Sequence, residues 1–102
     1  MSSRQYPHQV SFQLLLGNGA DERAPGGAVT VALCGHWDHE GPCKWPHFSA
    51  IAQIGQGLHR LVTDFDAPDQ EVAEVLERIE AGLRIGRLIG PDGHESTWAV
   101  VD

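Results

Sequence analysis

Hydrophobic and polar residues alternate near the N-terminus of the chain, where Val10, Phe12, Leu14 and Leu16 recur at every second position. A period of two is typical of a β-strand with one buried face. The next segment, 17–27, is rich in Gly, Asp, Ala and Pro. This composition predicts a mobile loop.

Residues 28–35 (AVTVALCG) are predicted to form a second strand. In that strand Val29, Val31 and Leu33 share one face, and Cys34 lies on the other. A further strand is predicted for residues 58–65. Between these two predicted strands, the sequence does not decide whether residues 48–57 form a short helix or a loop; in either case glycine ends the segment.

The strongest helix signal begins just after Pro68, a residue that suits the first turn. Gly82 or Gly86 can end this helix. After it, the order of Leu88-Ile89, residues 90–93 (GPDG) and residues 97–101 predicts a terminal hairpin or a turn into a last strand. The helix has one apolar stripe at helical spacing: Val72, Val75, Leu76, Ile79 and Leu83.

These elements predict an α+β domain, with a mostly antiparallel sheet of four to five strands and one amphipathic helix on one face. The chain of 102 residues is expected to form a single domain, 1–102.

Composition excludes several classes of function. The formal net charge is −7, and the seven Lys and Arg residues are scattered. We therefore expect no nucleic-acid surface and no attachment to an anionic membrane. No apolar run approaches the roughly 20 residues of a membrane span. The polar N-terminus lacks the apolar core of a signal peptide, so we expect a cytoplasmic protein.

Five of the chain's eight Cys and His residues lie in one segment, 34–47, which reads CGHWDHEGPCKWPH. It contains both cysteines and three of the six histidines. Thiolate sulfur and imidazole nitrogen are the ligands that zinc prefers. The segment therefore predicts a transition-metal site, most simply zinc. The candidate ligands are Cys34, His36, His39, Cys43 and His47, of which four would suffice.

Two other interpretations of the cysteines remain open. They could be buried and inert. Alternatively, Cys34 and Cys43 could form a disulfide, which in a cytoplasmic protein would be a redox switch more readily than a permanent cross-link.

The predicted function is a small zinc-binding domain that acts as a protein-interaction or accessory module. One alternative is a metal-dependent enzyme with an open Cys/His site, in which a bound water attacks a small substrate. The other is a metal-free interaction domain that uses Trp37 and Trp45 as an aromatic surface.

Overall fold

The computed structural model describes residues 6–34, 45–90 and 92–101. Its five strands form one antiparallel sheet with the order β2-β3-β1-β5-β4. In chain order the elements are β1 (His8–Leu16), α1 (Ala24–Cys34), β2 (His47–Gln53), β3 (Leu58–Phe65), a 3-10 turn (Asp69–Glu71), α2 (Val72–Ile85), β4 (Arg87–Ile89) and β5 (Glu95–Val101).

The predicted α+β class with an antiparallel sheet is confirmed, with two helices in place of the one expected. One face of the sheet supplies Leu14, Leu61 and Phe65 to the core, and the helices cover it with Val29 and Ile79 among others. Alternate strand residues are therefore buried, and those between them lie on an open face.

The strand predicted at 28–35 is wrong, because residues 24–34 form helix α1. The same helix occupies the C-terminal part of the predicted loop 17–27. Val29 and Leu33 are buried one turn apart, while Val31 is half-buried. With no polar face, the helix shows no period of 3.6 residues, and its burial between α2 and the sheet overrides the local strand preference.

The start of α1 is held by residues of the preceding turn. The Asp21 carboxylate accepts a hydrogen bond from the Arg23 backbone N–H at 2.9 Å, and the Asp21 carbonyl accepts one from Ala24 at 3.0 Å. The Arg23 side chain also binds this carboxylate, which holds the pKa of Asp21 below its ordinary value. Pro25 then lies in the first turn, where its missing N–H costs nothing.

The region that the sequence left open is strand β2 followed by a turn at residues 55–57. Helix α2 confirms its prediction and ends at Gly86, which has the left-handed φ of 71°. Within the described residues, no helix is both long and apolar enough to cross a bilayer.

Gly82 sets how closely the two helices approach. A Cβ at position 82 would lie 2.9 Å from the Cβ of Ala32 and 3.3 Å from the carbonyl oxygen of Ala28. Both atoms belong to α1, and neither is the end of a flexible side chain. The missing side chain therefore allows α1 and α2 to pack together at this point.

We expect Gly82→Ala to destabilise the protein by about 1 kcal/mol, although alanine is the better helix former by a similar amount. Overpacking costs about 1–3 kcal/mol and should outweigh this gain. Urea unfolding followed by circular dichroism measures the change. The double variant Gly82→Ala/Ala32→Gly should lose less stability than the sum of the two single variants, because removing the Ala32 Cβ relieves the contact with the new Cβ at position 82. A Gly82→Ala variant more stable than the parent would contradict this account of the contact.

Candidate functional site

Of the five predicted ligands, Cys34 and His47 lie in the described part of the chain. His36, His39 and Cys43 lie in segment 35–44, outside the described residues. The structure therefore places only the two ends of the predicted site.

Cys34 is the last residue of α1 and packs, half-buried, against the core. It is disulfide-bonded; the only other cysteine in the chain is Cys43. The prediction that Cys34 lies on one face of a strand is wrong, because Cys34 is helical. Its helical neighbour is Thr30, one turn earlier on the same face of α1.

His47 is the first residue of β2, and both nitrogens of its ring have partners. Nδ1 lies 3.0 Å from the carbonyl oxygen of Trp45, and Nε2 lies 3.0 Å from Oγ1 of Thr30. A carbonyl oxygen only accepts, so Nδ1 carries a proton and donates it. This hydrogen bond orients the ring and directs Nε2 at α1.

Thr30 therefore connects the two described ligand candidates. It binds His47 directly, and it lies one helical turn from Cys34. Thr30 is thus near both Cys34, in the same helix, and His47, at the start of β2. Among the described residues no group of three or more His, Cys, Asp or Glu side chains is arranged to hold a metal ion.

Trp45 anchors the end of the segment that returns to the sheet. Its side chain is only 2% exposed. Its indole N–H donates to the Glu71 carboxylate at 2.8 Å, and the Arg78 guanidinium lies 5.1 Å from the ring centroid. Trp45 is therefore part of the core and offers no exposed aromatic surface. Trp37 lies outside the described residues.

His59 is a buried histidine whose environment the sequence did not predict. Its Nε2 lies 3.0 Å from the Glu22 carboxylate, and its buried Nδ1 has no hydrogen-bond partner within the described chain. In the β2–β3 register His59 lies opposite Gln53, six residues along β2 from His47. That is about 20 Å along the strand, so His59 is not part of the Cys34–His47 region.

The structure also contains a cavity of about 330 Å³ beside the start of α1. Asp21, Arg23, His94 and Ser96 line it. The His94 ring donates to the Gly19 carbonyl at 2.9 Å, and the Ser96 hydroxyl accepts from the Asp21 backbone N–H at 2.9 Å. These polar groups hold the turn between β1 and α1 against the β4–β5 hairpin.

Comparison of the chain with protein-family models, with curated proteins and with solved structures finds no match. Any proposal about function therefore depends on the residues themselves.

Proposed function

We propose that residues 34–47 bind zinc when the cysteines are reduced, and that the domain is a non-catalytic module whose zinc-bound segment contacts a protein partner. The observation that supports this most directly is the position of His47. Its Nε2 is directed at Thr30, one turn from Cys34. Thr30 is therefore near two of the five predicted ligands, Cys34 and His47.

The donor types fit zinc. Two thiolates, Cys34 and Cys43, would combine with two of His36, His39 and His47 to give a four-coordinate Cys₂His₂ set. The hydrogen bond from Nδ1 of His47 to a backbone carbonyl is the type that orients metal-binding histidines. Bound zinc would supply a closed structural link between the end of α1 and the start of β2.

Zinc binding and the disulfide exclude each other, because a disulfide sulfur is not a thiolate. A dithiol reductant would transfer two electrons and two protons to the disulfide, giving two thiols and its own disulfide. These thiols lose their protons on binding the metal. The disulfide would then be the metal-free form, and the predicted cytoplasmic location would favour the reduced form.

A second candidate is a loop closed by a disulfide, with no metal at any stage. The disulfide at Cys34 favours it. The two proposals differ in the zinc affinity of the reduced protein. If the loop is closed only by the disulfide, the reduced protein does not bind zinc.

The test is a zinc titration of the reduced protein against a competing chelator, with elemental analysis of protein purified without chelator. We expect one equivalent of zinc in the reduced protein and none in the oxidised protein. Cys34→Ser and His47→Ala should each weaken binding by more than about tenfold, the loss that even an outer-shell partner causes.

His94→Ala is the matched control, because His94 is exposed and lies on the β4–β5 turn; it should bind zinc as the parent does. Reduced protein that takes up no zinc would overturn the proposal and leave the disulfide-closed loop. Unchanged affinity in His47→Ala would exclude His47 as a ligand.

A further inference from the structure

We propose that strand β2 pairs edge to edge with β2 of a second copy of this chain, which joins the two five-stranded sheets into one. Strands β2 and β4 form the two edges of the sheet. The inference rests on how differently these two edges are built, and it is independent of zinc binding.

The β4 edge is protected against pairing, and the β2 edge is not. Strand β4 has three residues, and its Arg87 forms an ion pair with Glu95 of β5. Strand β2 has seven residues, HFSAIAQ, without Lys, Arg, Asp, Glu or Pro. Short strands, charges and prolines are the usual means by which proteins prevent edge pairing. All of these are missing from β2.

The backbone groups of β2 that point away from the sheet can be identified from the register. The Ile54 N–H donates to Leu58 at the β3 end of the hairpin, at 2.9 Å. Residues directed at β3 alternate with residues directed outward, and in the described chain no strand pairs with the outer side of β2. The outward N–H and C=O groups belong to His47, Ser49, Ile51 and Gln53.

Charge favours a second copy as the occupant of this edge. The chain has a formal net charge of −7, so two copies repel each other overall. Strand β2 has no acidic or basic residue of the Asp, Glu, Lys or Arg type. Pairing through β2 therefore brings together two strands that contribute no like charges of these types.

The side chains also suit an antiparallel, two-fold pair centred on Ala50. In this register Ser49 faces Ile51 of the second copy, which places their outward backbone groups in hydrogen-bonding positions. Phe48 faces Ala52 of the second copy. Phe48 is 50% exposed and Ala52 is small, so the aromatic ring has room to pack and loses exposed area.

The two-fold register also separates this proposal from the zinc site. His47 of one copy would lie six residues along the paired strands from His47 of the other, about 20 Å away. Each copy would keep its own Cys34–His47 region. Dimer formation and zinc binding can therefore fail independently.

The experiment measures the oligomeric state by sedimentation equilibrium at micromolar concentrations. Residue 50 lies opposite itself in the proposed dimer, and its side chain is exposed in the single chain. Ala50→Lys and Ala50→Glu should each be monomeric, because like charges then face each other. An equimolar mixture of the two variants should form the heterodimer, because the charges become opposite.

Ala99→Lys is the matched control. Ala99 is exposed on the same open face but lies on β5, away from the edge, so this variant should dimerise like the parent. Circular dichroism verifies that each variant is folded. A monomeric parent, or a mixture of Ala50→Lys and Ala50→Glu that stays monomeric, would overturn the proposal. Loss of the dimer in Ala99→Lys but not in Ala50→Lys would also overturn it, because the open faces would then pair instead.

Discussion

Replacing Trp45 with alanine is expected to lower the free energy of unfolding by about 3–5 kcal/mol, the range for truncating a buried aromatic residue. Trp45 is 2% exposed and belongs to the main core cluster. The variant also leaves the Glu71 carboxylate without its indole donor. Urea unfolding followed by circular dichroism measures the loss without depending on tryptophan fluorescence.

Trp45→Phe separates packing from hydrogen bonding. It keeps most of the ring volume and removes the N–H that donates to Glu71, so its cost should be about 1–2 kcal/mol. A Trp45→Ala variant within about 1 kcal/mol of the parent would mean that the ring is a surface residue, for which changes are small. The aromatic-surface alternative would then regain support.

Gly86→Ala is the second substitution expected to be severe, with a loss of about 3 kcal/mol from two added costs. Gly86 ends α2 at a φ of 71°, which disfavours any L side chain. In addition, a Cβ there would lie 2.6 Å from the carbonyl oxygen of Trp98. That oxygen belongs to the backbone of β5, and the Gly86 carbonyl accepts a hydrogen bond from the Trp98 N–H at 3.0 Å.

Gly57→Ala provides a control with the same backbone conformation. Gly57 has a φ of 73°, but a Cβ there would meet nothing within 4 Å. It should cost only the left-handed penalty of about 1–2 kcal/mol. The difference between the two variants isolates the contact with Trp98. Equal losses would show that the backbone conformation alone explains the effect at Gly86. Unfolding in urea measures both variants against the parent.

Several elements could be predicted because each leaves a local pattern. Strand β1 buries every second residue around Leu14, and α2 buries Val75, Ile79 and Leu83 at helical spacing. In each case one side faces the core and the other faces water, so the period appears in the sequence. The turn residues Gly90, Asp92 and Gly93 similarly mark the connection between β4 and β5.

The same reasoning explains why α1 was missed. None of its residues from Ala28 to Cys34 is exposed, so no exposed polar face marks the helical period in the sequence. Gly82 looked like a possible helix end, yet it is the contact point with Ala32. Neither fact is local, because both depend on α1 and α2 being packed together.

The sequence by itself determined where metal-binding residue types concentrate, from Cys34 to His47, since clustering is a property of the chain order. It also determined the fold class, because buried faces impose their period on neighbouring residues. Only the tertiary structure decided that Trp45 is buried, that His47 is hydrogen-bonded to Thr30 of α1, and that β2 is an edge of the sheet. Each of these relations joins residues from separate elements. The sequence does not reveal them because packing between two elements produces no repeating pattern of hydrophobic and polar residues along the chain.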